Sequence, residues 1–596
     1  MLSLLRSYKQ WLTWFVAGLA CTALFTFGLP IVWQQSGLTQ AATNDINVIL
    51  MIGDGMGWEM ARAAALAKGA PPYASGRGQG LSLQTLSGYT YMTTYGTTVK
   101  GNNGTFSTGN SARDDSKPVT GESPIRPGFV FNPAFNPGNT STGGSTSGGN
   151  LVGYDPARGG PNPWTPGNDK EYIKWSYPDS ANTATTMYTG IKSFNNAMGV
   201  DLLEQAQQTI LQKAAKKGKS TGLVTSVPIS HATPGAAASS VNRRAKYDND
   251  FPALDNILQE ALRPDQGYLP TVLMGGGHPL DFENTSNVGP VFKYTYIRKS
   301  TYDELRTKPT SNRYGYRFLE RSPNAAASLL NAATTVDPNA GQRLLGLYGA
   351  RGQNGNIPIS TANGDYSSTG FDNFSLYATA AANKQVPKPD TVRPLAPGET
   401  DAQFIAREVN ENPTLADMTQ AALTVLSKDP DGFWLMVEGG DVDWACHDNN
   451  MDNLIGTMND FDKAIQTVIN WINQNGGWSK NMLIVTADHD HYLTLNPNFP
   501  ELLAQKGAEA LTYTEHNPAG AGHFWGSDSS IKYGWGNHTN RMVPVYYQGG
   551  PISLANYVGR GITAYGSTVP GTPTAMDQTH IFEVMNAALN AKPRVR

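Results

Sequence analysis

The stretch FWLMVEGGDVDWACH, Phe433 to His447, places a cluster of acids and a histidine directly behind a short apolar run. The run Phe433 to Val437 predicts a buried strand, because it is too short to span a membrane and is bounded by Gly439 and Gly440. The side chains that follow would lie at the carboxyl end of that strand, where open α/β sheets bind their ligands. They are Glu438, Asp441, Asp443 and His447.

Carboxylates this close together do not all ionise comfortably without a compensating cation. A bound metal ion is therefore one interpretation of the stretch, and a solvated acidic loop is the other. Residues elsewhere in the chain are needed to distinguish these two interpretations.

Similar apolar runs recur along the chain and alternate with segments of helical periodicity. NVILMIG precedes Asp54, STGLVTS begins at Ser220 and NMLIVTADHDH begins at Asn481. The segment NLIGTMNDFDKAIQTVINWI, which begins at Asn453, predicts a helix. This alternation predicts an α/β fold with a largely parallel central sheet and helices on both faces.

The length of 596 residues predicts either two domains or one domain enlarged by insertions, because a single core stops growing at roughly 250–300 residues. The 63 glycines and 38 prolines indicate long loops. Two regions, at about 101–169 and about 284–410, have little periodicity and are expected to be loop or cap insertions in one domain spanning 43–596. Inside the second, Asn324 to Ala333 predicts a helix.

The N-terminal 42 residues predict an export segment. Arg6 and Lys9 precede an apolar span from Trp11 to Trp33, which is long enough to cross a bilayer, and Ala41 and Ala42 suit cleavage. A cleaved signal peptide and an N-terminal membrane anchor both remain open, so the protein is expected to be periplasmic, extracellular or anchored. The net charge of −3, with scattered Lys and Arg, shows no nucleic-acid footprint.

Residues near the ends of other predicted strands are further candidates for metal ligands. Asp54 ends one apolar run, Asp488 and His489 end another, and His538 lies in a polar turn. Asp443 and His447 are four residues apart and share one face if a helix begins at Asp443. Mixed Asp/His sets suit Zn²⁺ in a catalytic site, whereas an all-oxygen set around Glu438 suits Mg²⁺. Three strand-end clusters together favour a metal site over a solvated loop.

A serine in the stretch YPDSANTATTMYTG supplies a candidate nucleophile. Ser180 lies where a helix is expected to begin, and the free N–H groups there favour an anion such as phosphate. Such a serine is either a helix cap or a nucleophile. The neighbouring Asp179, and a phosphate-binding fork from Arg243 or Arg244, favour the second interpretation.

The motifs GDGMG, DSA followed by TG, HATP, VEGGDVDWACH, TADHDH and NHT occur in this order between about residues 46 and 540. In these motifs and their order the sequence closely resembles the alkaline phosphatase family. The resemblance does not extend to the two expected insertions. It implies hydrolysis of phosphate monoesters through a phosphoserine, two zinc ions, one magnesium ion and a homodimer.

The resemblance also implies roles for individual residues. Ser180 would be the nucleophile, and Arg244, favoured over Arg243 by its spacing from His231, would bind phosphate. The implied metal ligands form three sets: Asp443, His447 and His538 for the first zinc; Asp54, Asp488 and His489 for the second zinc; and Asp54, Thr233 and Glu438 for the magnesium, with His231 beside them.

Two positions depart from the pattern of some bacterial members. His231 stands where those members carry Asp, and Trp444 stands where others carry a basic residue, so the third metal site would have one carboxylate fewer than in those members. Two other functions remain open. One is a phosphodiesterase or nucleotide pyrophosphatase of the same superfamily, and the other is an inactive cell-envelope binding protein.

Overall fold

The structure is a computed structural model that describes residues 46–145, 148–263, 269–282, 290–366 and 395–591. The expected signal peptide or anchor at 1–42 lies outside these ranges, as do parts of the second expected insertion. Among the described residues, no helix combines the length and the apolar character needed to cross a bilayer.

A ten-stranded sheet forms the centre of the fold. Its strands in chain order are β1 (Asn47–Gly53), β2 (Gly88–Thr93), β3 (Ser220–Pro228), β4 (Val272–Gly276), β5 (Tyr316–Glu320), β6 (Arg343–Leu347), β7 (Phe433–Gly439), β8 (Asn481–Thr486), β9 (Val543–Gln548) and β10 (Met576–Asp577). Their order across the sheet is β10-β2-β9-β8-β1-β7-β3-β4-β6-β5. Strand β9 runs antiparallel to both of its neighbours, and the other pairs are parallel. The largely parallel sheet expected from the sequence is confirmed.

The described α-helices, in chain order, are α1 (Trp58–Ala67), α2 (Pro156–Gly159), α3 (Ser180–Thr189), α4 (Ile210–Lys216), α5 (Ala232–Ala238), α6 (Ile257–Ala261), α7 (Lys299–Thr307), α8 (Ala325–Thr335), α9 (Asp401–Glu411), α10 (Leu415–Leu426), α11 (Asp441–His447), α12 (Met451–Gln474), α13 (Phe499–Tyr513), α14 (Pro518–Ala521) and α15 (Thr579–Asn590). Short two-stranded ladders add Val99–Lys100 with Phe106–Ser107, Leu280–Phe282 with Val291–Phe292, Asp490–His491 with His538–Thr539, Leu493–Leu495 with His523–Trp525, and Ile562–Ala564 with Ser567–Val569.

Helices cover both faces of the sheet, as two neighbouring residues of β7 demonstrate. Phe433 packs against Trp471 of α12, with ring centroids 5.5 Å apart. Trp434 packs against Tyr188 of α3, with ring centroids 5.9 Å apart. Successive side chains of a strand point to opposite faces, so α12 and α3 lie on opposite sides of the sheet.

The region 284–410 differs from the expectation of a separate insertion or small cap, because two of its segments belong to the central sheet. Strand β6 pairs with β4, and β5 pairs with β6 at the edge of the sheet. Strand β5 alternates buried and partly exposed residues, so it lacks the continuous apolar run of β1, and the buried run of β6 is shorter than that of β1. The expected helix at Asn324 to Ala333 is confirmed as α8.

The three strands β8, β1 and β7 lie side by side at the centre of the sheet and run parallel. In their register Ile52 pairs with both Glu438 and Thr486, so the strands end at the same level. Their carboxyl ends therefore bring the segments that begin at Asp54, Glu438 and Ala487 to one edge.

Candidate metal centre and nucleophile

The chain turns tightly after β1, and this turn places Asp54 at the centre of the site. Gly55 adopts a φ of 68°, and a Cβ atom there would lie 2.7 Å from Cδ2 of His491. Only glycine fits this conformation and this close approach without strain. The backbone N–H of Gly55 donates to Oδ1 of Asp488, which ties the turn to the end of the neighbouring strand β8.

A first group of donors surrounds Asp443 on α11. Its Oδ1 lies 2.6 Å from Nε2 of His491 and 3.1 Å from Nε2 of His538. Nε2 of His447 lies 3.5 Å from Oδ2 of Asp443 and 3.0 Å from Nε2 of His538. The helix begins at Asp441, two residues before the expected start, and it places Asp443 and His447 one turn apart as predicted.

The protonation states in this group suit metal ligands. Burial opposes ionisation of Asp443, but the surrounding histidines outweigh burial and hold the pKa of Asp443 well below its usual value. Burial lowers the pKa of His447 to about 4, so its imidazole is neutral at ordinary pH. A carboxylate and neutral imidazoles are the forms that bind zinc.

A second group joins Asp54, Asp488 and His489. Nε2 of His489 lies 3.2 Å from Oδ1 of Asp54 and 3.4 Å from Oδ2 of Asp488. Burial, together with the charges of Asp443 and Glu438, raises the pKa of Asp54 well above its usual value. Burial raises the pKa of Asp488 to about 7. In both acids burial and the neighbouring carboxylates outweigh the groups that favour ionisation, which for Asp54 include Arg244.

Ser180 is the first residue of α3 and lies against the second group. Its Oγ is 3.1 Å from Nε2 of His489 and 3.3 Å from Oδ1 of Asp54. The helix cap is Asp179, whose carboxylate accepts from the N–H of Asn182. Because Asp179 performs the capping, the hydroxyl of Ser180 is left to face the buried acids and histidine.

Asp179 also connects the start of α3 to an arginine. Nη1 of Arg244 lies 3.2 Å from Oδ2 of Asp179, and the N–H of Asn196 donates to both oxygens of the same carboxylate. The side chain of Arg244 is 19% exposed, so the guanidinium is mostly enclosed. Of the two candidate arginines, Arg244 is the one that forms this ion pair.

Glu438, Thr233 and Thr225 lie behind Asp54. Oγ1 of Thr233 is 3.3 Å from Oδ2 of Asp54, and Oγ1 of Thr225 donates to Oε2 of Glu438. Oε1 of Glu438 is buried and has no hydrogen-bond partner among the described residues. Burial raises the pKa of Glu438 to about 8.

His231, expected beside this third set, lies at the N-terminus of α5. Its ring packs edge-on against Trp444, with centroids 5.4 Å apart, and its buried Nδ1 has no hydrogen-bond partner within the described ranges. Burial lowers the pKa of His231 to about 3, so the imidazole is neutral.

The arrangement fits divalent metal ions. Two groups, Asp443 with His489, His491 and His538, and Asp54 with Asp488 and His489, each offer ligand atoms that lie within 4.8 Å of one another. Buried acids with raised pKa values, and a buried Glu438 oxygen without a hydrogen-bond partner in the described part of the chain, are the features of a pocket that binds cations. Mixed carboxylate and imidazole donors are a zinc-type set.

The structure adds one residue to the first group that the ligand sets inferred from the sequence omitted. His491 is the last residue of the TADHDH motif, but the ligand sets inferred from the sequence give it no role. The available signal was its position two residues after the predicted ligand His489 in the same motif.

Comparison with known proteins finds similarity to one family. The family model described as alkaline phosphatase matches residues 165–542. Alkaline phosphatase H of Pseudomonas aeruginosa is 28% identical over 426 residues, which cover 70% of this chain and 73% of that protein. Alkaline phosphatase of Escherichia coli is 26% identical over 421 residues, which cover 70% and 74%. A crystal structure of the cold-active alkaline phosphatase of a psychrophilic Shewanella covers 91% of this chain and 100% of that one, at 19% identity and a TM-score of 0.47.

Proposed function

The chain belongs to the alkaline phosphatase family, whose activity is metal-dependent hydrolysis of phosphate monoesters, and from that premise we propose that Ser180 is its nucleophile and becomes phosphoserine. The observation that carries the assignment is the position of Ser180 Oγ, which lies 3.1 Å from Nε2 of His489 and 3.3 Å from Oδ1 of Asp54. The serine hydroxyl and the second ligand group therefore meet at one point.

Three ligand sets are proposed. Asp443, His447 and His538 hold one zinc ion, and Asp54, Asp488 and His489 hold the other. Asp54, Thr233 and Glu438 hold a magnesium ion, with His231 beside them. Bound in these positions, the metal ions supply positive charge that stabilises the serine alkoxide, the phosphate oxygens and the departing alcohol oxygen. Support comes from the donor types and from the burial of Asp54 and Glu438.

The remaining groups position the substrate. Arg244 presents a guanidinium to the phosphate oxygens, and its ion pair with Asp179 holds it in place. Asp179 also caps the helix that Ser180 begins, so one carboxylate fixes both the nucleophile and the phosphate-binding arginine. The N-terminal end of α3 adds its partial positive charge near the phosphate. Positioning and electrostatics are what phosphoryl transfer demands of a protein.

Export through the N-terminal segment and assembly as a homodimer also belong to the proposal. The first rests on the apolar span from Trp11 to Trp33, and the second rests on the family resemblance.

A matched pair of serine variants tests the nucleophile. Ser180→Ala should lose hydrolysis of para-nitrophenyl phosphate, because the hydroxyl that attacks phosphorus is gone. Ser193→Ala is the control, since Ser193 is also buried but donates to the carbonyl of Val200, away from the ligand groups. Equal losses in the two variants would point to damaged folding and would remove the assignment.

Metal removal and substrate class complete the test. A chelator should abolish activity, and zinc should restore it, because each proposed zinc set contains histidine nitrogen. The monoester para-nitrophenyl phosphate should be hydrolysed much faster than bis(para-nitrophenyl) phosphate. A preference for the diester would favour the phosphodiesterase alternative. If the chelator left both activities unchanged, the metal assignment would be wrong.

A further inference from the structure

The fifth residue of the TADHDH motif, Asp490, has no role in the proposed reaction, although it lies between two histidines of the site. Asp490 is completely buried, and its Oδ2 accepts hydrogen bonds from Oγ1 of Thr539 at 2.6 Å and from Nε of Arg541 at 2.8 Å. A buried carboxylate is costly unless it is paired in this way, so its presence needs a reason.

The short ladder that contains Asp490 joins the two ligand-bearing segments. Asp490 pairs with Thr539, and His491 pairs with His538, in an antiparallel register. Side chains alternate across such a ladder, so His491 and His538 share the face toward the metal groups, with ring centroids 4.9 Å apart. Asp490 and Thr539 share the opposite face.

Arg541 also connects the two ligand-bearing segments, through its contacts with the backbone. Its Nη2 donates to the carbonyl oxygens of His491 and Leu493, at 2.9 and 3.1 Å, while its Nε holds Asp490. One guanidinium therefore binds the side chain and the backbone of the segment that carries His489 and His491. Arg541 itself belongs to the segment that carries His538, three residues away.

The packing leaves room for this carboxylate and for little else. A Cβ atom at Gly57 would lie 1.6 Å from Oδ1 of Asp490, so the absence of a side chain at Gly57 is required for Asp490 to occupy its place. A ladder of two residues on each strand is too short to hold its register by backbone hydrogen bonds alone. The Asp490–Arg541 pair supplies the missing constraint.

We propose that Asp490 and Arg541 are positioning residues that lock the His489–His491 segment to the His538 segment and so preorganise the zinc ligands. The inference rests on the proposed zinc sets. Asp490 contacts none of the reacting atoms, and it acts only through the placement of the histidines on either side of it and across the ladder. Loss of an outer-shell partner of this kind typically weakens metal binding by about 10- to 100-fold.

The zinc dissociation constant, measured by competition with a chromophoric chelator, tests the proposal independently of activity. Asp490→Ala should weaken zinc binding by about 10- to 100-fold. The zinc dissociation constant of Asp490→Asn should lie between those of Asp490→Ala and the wild type, since an amide oxygen can replace Oδ2 as acceptor but lacks the charge. If Asp490→Ala does not fold, Thr539→Val replaces it as the test, because it removes one hydrogen bond to Asp490 and keeps the side-chain shape. Its zinc binding should be weakened, but by less than in Asp490→Ala.

Asp248 offers a matched control. It is also completely buried, it accepts from Thr301 Oγ1, and it pairs with Arg298, but it lies on a segment that carries none of the proposed ligands. Asp248→Ala should lower stability and leave the zinc dissociation constant unchanged. Unchanged zinc binding in Asp490→Ala, or equal weakening in both Ala variants, would overturn the positioning role while leaving the proposed function intact. Absence of zinc binding by the wild type would overturn both.

Discussion

The hydroxyl oxygen of Ser180 lies 3.1 Å from Nε2 of His489, although 309 positions separate the two residues in the chain. Ser180 begins α3, and His489 follows β8, so their meeting depends on how the helix layer docks on the sheet. The nucleophile and the metal ligands are therefore assembled by tertiary packing, and variants that leave the packing intact can test each role separately.

Arg244→Ala is expected to weaken inhibition by inorganic phosphate by about 10- to 150-fold, because a hydrogen bond to a charged group is worth about 1.5–3 kcal/mol. Arg243→Ala is the control, since Arg244 is the residue paired with Asp179. The phosphate inhibition constants of the two variants decide the matter. A larger effect from Arg243→Ala would reverse the assignment.

His231→Asp is expected to reduce the magnesium concentration needed for full activity. The wild-type imidazole is neutral, because burial lowers the pKa of His231 to about 3, and it offers no hard oxygen donor to magnesium. A carboxylate at this position would add both charge and oxygen. If the magnesium requirement of His231→Asp equals that of the wild type, residue 231 does not face the third site.

Trp444→Lys is expected to tighten phosphate inhibition by about fivefold, the equivalent of about 1 kcal/mol for a partly solvated charge contact. Trp444 now presents an apolar face, only 6% exposed, against His231. Trp444→Phe is the control, since it keeps an aromatic ring without adding charge. Inhibition constants that do not differ between the Lys and Phe variants would place residue 444 away from the phosphate.

Asp441→Asn is expected to stabilise the protein increasingly as pH rises from about 4 to about 7. Burial raises the pKa of Asp441 from 3.8 to about 7, so the native state keeps a proton that the unfolded chain releases in this window. The native state therefore loses up to about 1.4 kcal/mol of stability per pH unit, and the loss levels off above the folded pKa. The amide does not titrate and avoids this loss.

Urea unfolding of the wild type and Asp441→Asn at pH 5, 6, 7 and 8 measures the effect, because terms shared by the two proteins cancel in the difference. A difference in the free energy of unfolding that stays constant with pH would show that Asp441 is already ionised throughout the window.

The central part of the fold could be predicted from the sequence because its signals are local. Strands β1, β7 and β8 are continuous apolar runs that end in acids, and each run is visible without knowledge of its neighbours. The start of α3 at Ser180 follows from its capping residue Asp179. The parallel character of the sheet follows from the alternation of strands and helices.

The strands at the edge of the sheet, and the residues that hold the ligand-bearing segments in place, could not be predicted in the same way. Strand β5 joins the sheet through a short, half-exposed segment whose pattern also fits a loop. The contact between Arg541 and Asp490 spans 51 positions, and the hydrogen bond from His538 to the carbonyl of Pro178 spans 360. Such contacts depend on register and docking, which a single sequence does not encode in any local pattern.

The most direct test of the central claim is to find where the phosphate is held during turnover. The zinc-loaded protein is mixed with a phosphate monoester and quenched in acid, and its peptides are analysed by mass spectrometry. The account predicts one phosphorylated peptide, modified at Ser180 and absent from Ser180→Ala. Phosphate on any other residue, or full turnover by Ser180→Ala, would contradict it.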